Sequence, residues 1–337
     1  MIVTLKDVAE LAGVSRSAVS RTYTEGASVS LKTREKVKKA ALELGYSPNA
    51  LASSLTTGRT KMIGLVSNNF RNPFFLEVFD LFTRGLQERG LRPLLVNLSE
   101  ETEPEASIKM LRQYSVDGVI VASSTLKPGF SKAFKDAGFP VVHPFGSHSE
   151  NPIVDVLGID NIMAGRMAAL TLIARGYSKV AFLGGPQTAT TTIDRGKGFL
   201  SVIDAHSNCS CSTSFATEYS FEAGRSSMLE LMKGKLAEAY FCADDVLSIG
   251  ALSALQSGGY GVPKDVGIIG LNNMEMASWD NINLTTISNP LPEIISASID
   301  RVSAIVENAS IRPEGQLFEC KVIERGTLRP PAQIVFY

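Results

Sequence analysis

Thr4-Leu5-Lys6-Asp7-Val8-Ala9-Glu10-Leu11-Ala12-Gly13-Val14-Ser15-Arg16-Ser17-Ala18-Val19-Ser20-Arg21 decides how the chain is organised. Thr4 with Asp7 three residues later has the form of a capping box, Asp standing in for the longer Glu, and Leu5, Val8, Ala9 and Ala12 recur at helical spacing. Gly13 provides a stop, and Ser15 a new N-cap for a second helix that turns Ala18 and Val19 inward. The link Ala12-Gly13-Val14-Ser15 has room only for a tight glycine-containing turn, so the pair reads as a helix-turn-helix. A third helix is predicted from near Ser30 to a stop at Gly45. It carries Val37, Ala40, Ala41 and Leu44 on one face and completes a small three-helix core.

Charge divides at the same place. The 337-residue chain has a formal net charge of −1, yet residues 1–61 hold ten Lys or Arg against five Asp or Glu. That is +5 for the head and −6 for the rest, the footprint of a separate nucleic-acid-binding module on an acidic body. In a helix-turn-helix the second helix enters the major groove by its N-terminal end, which makes Arg16, Ser17 and Arg21 candidate base readers. Arginine forks onto guanine O6 and N7, whereas serine is less selective. Thr4, Ser15, Lys32, Thr33 and Arg34 are candidate phosphate anchors, because the start of the third helix offers free N–H groups beside cations. The alternatives are phosphate contact alone for Arg16 and Arg21, and a solvated basic face for the anchors.

Thr4 to Ser15, Val19-Ser20-Arg21, Val29-Ser30-Leu31-Lys32-Thr33-Arg34-Glu35-Lys36-Val37 and Leu44-Gly45-Tyr46-Ser47-Pro48-Asn49 together resemble the lactose-repressor-like (LacI/GalR) bacterial transcription regulators. The resemblance implies a homodimer on double-stranded operator DNA, acting as a repressor switched by a small effector. Pro48-Asn49-Ala50-Leu51-Ala52-Ser53-Ser54-Leu55 is similar to the hinge helix of that family. It implies that Leu55 is a minor-groove wedge, with Asn49 and Ala52 beside it, and such a wedge unstacks a base step and kinks the duplex. Ser53 stands where the usual hinge has Arg, which predicts a lost DNA contact and lower affinity. The alternative for residues 50–60 is a flexible linker rich in Ser, Thr and Gly.

From Met62 onward, apolar runs alternate with helical stretches: 63–66, 93–96, 118–121 and 140–142, then 180–183, 239–242 and 266–269. Continuous apolar strands separated by helices imply parallel sheets covered on both faces. Two sets, with a break near residues 153–162, imply two α/β lobes whose strand ends face a ligand cleft. The expected fold is an N-terminal all-α helix-turn-helix head on a two-lobed α/β effector domain that resembles periplasmic binding proteins. The expected divisions are 1–47 for the head, 48–61 for hinge and linker, 62–330 for the effector domain and 331–337 for a tail. One lobe is expected over about 62–160 with 291–320, and the other over about 161–290 with 321–330. Helices over 74–87 and 245–257 are candidate dimer surfaces. The tail has no leucine heptads and predicts no tetramerisation helix.

The resemblance also places a cleft. Asn72-Pro73-Phe74-Phe75 is similar to the NPFF segment of the family, and Phe145 and Tyr219 fall at aromatic wall positions. Arg195, with the spacing RxxGF to Gly198-Phe199, matches the ligand-binding arginine. Cys242-Ala243-Asp244-Asp245 resembles a segment that usually carries Asn-Asp, and Gly270-Leu271-Asn272-Asn273 one that usually reads Gly-aromatic-Asp-Asp. Amide and carboxylate have therefore traded places, leaving Asp244 acceptor-only while Asn272 both donates and accepts. A forked guanidinium between aromatic faces suits a sugar, polyol or sugar acid. The alternatives are core packing for the aromatics, a structural ion pair for Arg195 and a helix N-cap for Asp244.

No G-x-S-x-G, H-E-x-x-H or P-loop pattern appears, and His143, His148 and His206 are isolated, so no catalytic residues are expected. Cys209, Cys211, Cys242 and Cys320 lack paired CxxC spacing, which predicts reduced thiols and no metal or other cofactor. With 44% hydrophobic and 20% charged residues the chain is of globular composition. The absence of a long apolar run or a signal-like start predicts a cytoplasmic protein with no membrane partner. The competing reading is a cytosolic small-molecule-binding or catalytic protein with a nonspecific basic head. Steep salt dependence of binding to a defined duplex separates the two.

Overall fold

The computed structural model describes residues 3–24, 26–49, 54, 58–68, 70–98, 104–126 and 128–331. It forms two compact units, Met1–Thr60 and Lys61–Tyr337. In the first, α1 (Leu5–Ala12), α2 (Arg16–Thr22) and α3 (Leu31–Leu44) follow the sequence signals closely. The Asp7 carboxylate accepts from the Thr4 backbone N–H at 2.7 Å and from its hydroxyl at 2.8 Å. Ser15 Oγ accepts from the Ala18 N–H and Ser30 Oγ from the Thr33 N–H, each at 3.2 Å. Gly13 and Gly45 end α1 and α3 at φ +64° and +65°, a conformation in which a side chain would clash with the backbone. Val8, Val19 and Val37 are fully buried, worth about 1.5–3 kcal/mol each, beside Ala9, Ala12, Ala40 and Ala41.

The second unit contains two six-stranded sheets. The first holds β1 (Met62–Ser67), β2 (Arg92–Asn97), β3 (Gly118–Val121), β4 (Val141–Pro144), β5 (Asp155–Ile159) and β11 (Gly315–Phe318), in the order β11-β5-β4-β3-β1-β2. The second holds β6 (Lys179–Gly184), β7 (Ser210–Phe215), β8 (Ala239–Cys242), β9 (Gly267–Asn272), β10 (Thr286–Ser288) and β12 (Val322–Ile323), in the order β12-β10-β9-β8-β6-β7. All pairings are parallel except β10 with β12, and the register sets Leu65 beside Ile120 and Phe182 beside Phe241. The helices α4 (Phe74–Glu88), α5 (Pro104–Gln113), α6 (Pro128–Asp136) and α11 (Leu291–Glu307) belong with the first sheet. Those of the second are α7 (Asn161–Ile173), α8 (Thr190–Ile203), α9 (Phe221–Leu231) and α10 (Asp245–Ser257).

The chain passes between the sheets three times: after β5, after β10, and between β11 and β12. Residues 153–162, the expected break between the lobes, hold the crossing and, before it, β5, a strand buried along its whole length. Asp155 and Gly158 disguise it as a loop, and the real crossing is Asp160, whose side chain caps α7 by accepting from the Met163 N–H at 2.9 Å.

Four glycines set the helix packing of the second lobe. A Cβ on Gly165 would lie 2.1 Å from the Arg195 carbonyl oxygen, and one on Gly198 would lie 2.0 Å from that of Ile162. On the other pair, Gly224 faces the Leu247 carbonyl at 2.5 Å and Gly250 that of Phe221 at 2.2 Å. Thus α7 crosses α8, and α9 crosses α10, with backbones in contact.

Candidate functional site

On the head, Arg16, Ser17 and Arg21 are exposed along α2, as a groove-reading helix requires. Lys32 is exposed at the start of α3, with Thr33 and Arg34 half-buried beside it. The hydroxyls are more committed than the sequence suggested. That of Thr4 donates to Asp7, Ser15 Oγ pairs with Ser17 Oγ at 2.9 Å, and Thr33 Oγ1 with Ser30 Oγ at 2.8 Å. The two donors from Thr4 hold the Asp7 carboxyl below the usual carboxylate range. Asn49 is exposed, while Ala52 and Leu55 lie outside the described residues.

In the second unit all eight cleft candidates are buried: Asn72, Phe74, Phe75, Phe145, Arg195, Tyr219, Asp244 and Asn272. Three polar ones converge. Asn72 precedes α4, where its Oδ1 accepts from the Phe74 N–H at 3.1 Å and its Nδ2 donates to Asp244 Oδ2 at 3.3 Å. Asp244 also accepts from Asn272 Nδ2 at 2.9 Å, and its Oδ1 caps α10 through the Val246 N–H at 2.9 Å. Capping and the cleft are therefore compatible roles for one carboxylate. Burial pushes Asp244 up to about 6, opposed by the Val246 N–H, the Arg195 charge and the two amides.

Arg195 is not paired with its neighbour Asp194, which accepts instead from Ser147 Oγ at 2.8 Å. Its Nε donates to Asn161 Oδ1 at 2.8 Å and its Nη1 to the Ala243 carbonyl at 2.5 Å, so the guanidinium lies next to Asp244. Phe74, Phe75 and Phe145 form an edge-to-face cluster, with centroids 5.7 Å apart for Phe74 and Phe145 and 5.3 Å for Phe74 and Phe75. Tyr219 stands apart from these. Its hydroxyl bonds Thr192 Oγ1 at 2.7 Å, and its ring leaves no space for a side chain at Gly185.

Several participants carry no motif of their own. Asn161 anchors Arg195, and Asn289 donates through Nδ2 to Asn272 Oδ1 at 3.2 Å. Asn289 directly follows β10 and Asn161 opens α7 one residue after β5, both at points where the chain changes lobe. Asp245 is fully buried, accepts from Thr286 Oγ1 at 2.6 Å and the Met274 N–H at 2.8 Å, and is pushed up to about 7 by burial. Phe145 and Asn272 take positive φ values of 67° and 118°, local strain gathered at the cleft. His143 is buried nearby, its ring nitrogens bonded to Ser131 Oγ at 2.8 Å and the Ser123 carbonyl at 2.9 Å, and burial lowers its pKa. Among the described residues no group of three His, Cys, Asp or Glu is arranged to hold a metal, and no helix is long and apolar enough to cross a membrane.

A helix-turn-helix reader followed by two α/β lobes that meet at a buried polar cluster defines a ligand-responsive DNA-binding regulator. Residues 4–49 match the model for bacterial regulatory proteins of the lacI family, and residues 169–328 the periplasmic binding protein-like domain. The HTH-type transcriptional regulator CelR of Thermobifida fusca is 32% identical over 314 residues, covering 89% of this chain and 92% of that protein. Among solved structures, a transcriptional regulator CelR–cellobiose complex superimposes with a TM-score of 0.72 at 28% identity, over 96% of this chain and 99% of the other. The lac repressor dimer bound to operator and the anti-inducer ONPF has the same fold, with a TM-score of 0.85 at 24% identity, over 97% and 99% of the two chains. The chain belongs to the lacI family of bacterial regulatory proteins.

Proposed function

We propose that this cytoplasmic protein is a homodimeric repressor of carbohydrate or related catabolic genes, whose affinity for its operator is switched by a sugar, polyol or sugar acid in the interlobe cleft. The observation that carries the effector reading is Arg195. Its guanidinium is buried between Asn161, Ala243 and Asp244, with the aromatic cluster of Phe74, Phe75 and Phe145 in the facing lobe. Forked donors beside apolar ring faces recognise hydroxylated molecules. In this reading Asn72, Tyr219 and Asn272 complete the site, and the protein has no catalytic activity.

Arg16, Ser17 and Arg21 read bases, and Thr4, Ser15, Lys32, Thr33 and Arg34 sit on phosphates. Asn49, Ala52 and Leu55 lie in the minor groove between two heads. The solved relatives support this by kind: one is a dimer on its operator, another a complex with cellobiose. The effector must bind one lobe arrangement better than the other, since equal affinity shifts nothing.

The test is operator binding by fluorescence anisotropy, on duplexes selected from a random library, with salt varied and sugars added. Sequence-selective binding with a steep salt slope, altered by at least one sugar, is the expected result. Binding that ignores sequence would overturn the head assignment. Selectivity that no sugar, polyol or sugar acid changes would overturn the effector assignment.

A further inference from the structure

The two lobes are already joined inside the cleft. Asn72 comes from the first lobe and Asp244 from the second, neither is more than 4% exposed, and the Asn72 amide donates to Asp244 Oδ2. A row of side chains continues from there. Asn272 Nδ2 donates to the same oxygen, and Asn289 Nδ2 donates to Asn272 Oδ1. The row ends at Asn289 Oδ1, a buried acceptor with no partner among the described residues. An exposed second link, Ser147 to Asp194, also spans the lobes.

We propose that Asn72 and Asp244 form a latch that closes the cleft before effector arrives, and that the effector enters by exchanging this bond for its own hydroxyls, so that uncharged polyhydroxylated molecules are selected over carboxylates and phosphates. The inference rests on the cleft being the effector site. Opening the latch frees a donor on Asn72 and an acceptor on Asp244. A hydroxyl answers both, because its oxygen accepts from the amide while its proton goes to the carboxylate, and a further hydroxyl supplies the donor that Asn289 Oδ1 lacks. An ionised carboxylate or phosphate only accepts. It would satisfy Asn72, leave Asp244 Oδ2 and Asn289 Oδ1 without a new donor, and set its charge beside that of Asp244.

Arg195 is one cation shared: its Nε and Nη1 are held by Asn161 and Ala243 and its charge already faces Asp244, so an anion bound there would compete with Asp244 for the N–H groups that remain. Burial raises Asp244, but both of its oxygens only accept, from Val246, Asn72 and Asn272, and the Arg195 charge lies beside it, contacts that all favour the carboxylate form. A buried like-charge contact costs far more than one lost hydrogen bond.

Full-length protein is titrated by calorimetry at neutral pH against three matched sets of probes. These are D-ribose, D-glucose and cellobiose with their alditols; the corresponding aldonates with D-glucuronate; and ribose 5-phosphate with glucose 6-phosphate. Neutral members should bind about tenfold or more tightly than the acids and phosphates of the same skeleton, as expected for one charge-assisted hydrogen bond and a repelled charge. Asp244→Asn keeps the helix cap through its Oδ1 but sets an NH2 against the donors of Asn72 and Asn272, so it removes both the charge and the latch acceptor, and should shrink that ratio. Hydrogen exchange of the ligand-free chain gives an independent readout. Asn72→Ala should speed exchange in segments 143–148, 189–196 and 243–247, leaving β8 and β9 protected.

Tighter binding by acids or phosphates, or unchanged exchange in Asn72→Ala, overturns the inference and leaves the effector site standing. No binding by any member of the three sets overturns the effector reading itself, and the exchange step with it.

Discussion

Gly165→Ala tests how the second lobe places its arginine. The added Cβ starts 2.1 Å from the Arg195 carbonyl oxygen and 2.8 Å from the Phe199 nitrogen. An ordinary carbon–oxygen contact needs about 3.3 Å, so α7 and α8 must part locally by about 1.2 Å. Both neighbours are backbone and cannot swing aside. Overpacking of this kind costs about 1–3 kcal/mol, and the upper end applies where backbone must move. Alanine recovers about 1 kcal/mol through its better helix propensity. A net loss of about 1–2 kcal/mol is expected, read as a lower urea midpoint of the body.

The same displacement carries Arg195 with it. A shift of about 1 Å stretches its 2.5 Å bond to the Ala243 carbonyl beyond useful hydrogen-bond length. Loss of a bond from a charged group is worth about 1.5–3 kcal/mol, so effector affinity should fall about tenfold or more. Calorimetry with a bound sugar measures that, and operator affinity of the free protein serves as the control. A variant as stable as the parent, with undiminished effector affinity, would refute the close-crossing account.

Arg16→Ala and Arg21→Ala should each lose discrimination between operator and random duplex, by about 1–3 kcal/mol where the contact is bidentate; undiminished discrimination in competition anisotropy rejects base reading. Val19→Ala empties part of a core built from few residues. It should cost the head about 1–2.5 kcal/mol and lower its calorimetric transition without moving that of the body. Burial lifts Asp245 to about 7 from 3.8, so across that interval the folded chain keeps a proton that the unfolded chain has lost. Its contribution to stability is complete below about pH 4 and disappears as pH rises through about 7. His143, lowered by burial, acts in the opposite sense, losing stability as pH falls below 6.5, but it is common to parent and variant. The stability advantage of the parent over Asp245→Asn should therefore shrink from pH 5 to pH 8 in thermal melts, and a constant difference refutes the assignment.

The head could be read from sequence because its signals are local: caps at Thr4, Ser15 and Ser30, and stops at Gly13 and Gly45, lie within a turn of what they organise. Most of the buried parallel strands are equally plain as apolar runs, β5 being hidden by Asp155 and Gly158. Strands specified by distant partners are not. β7, Ser-Cys-Ser-Thr-Ser-Phe, is a polar edge strand paired only with β6, and β11 finds β5 across most of the second unit. The cleft divided in the same way. Arg195, Asp244 and Asn272 stood out through their motifs, but the bond between Asn72 and Asp244 spans 172 positions and has no local trace. In the sequence Gly198 stands only as part of the arginine spacing, although its backbone contact with Ile162 is what allows α8 to present that arginine.

The interleaved lobes also impose an order on synthesis. β1 opens the first sheet at Met62, but its outer strand β11 is not made until Gly315–Phe318. At about 5–20 residues per second, a nascent chain carries a complete three-helix head roughly 15–55 s before that sheet can close. A message broken anywhere in between therefore yields polypeptides equipped to touch DNA but unable to finish a sensor. Quality control of such fragments matters more for this architecture than for a protein whose domains are each contiguous.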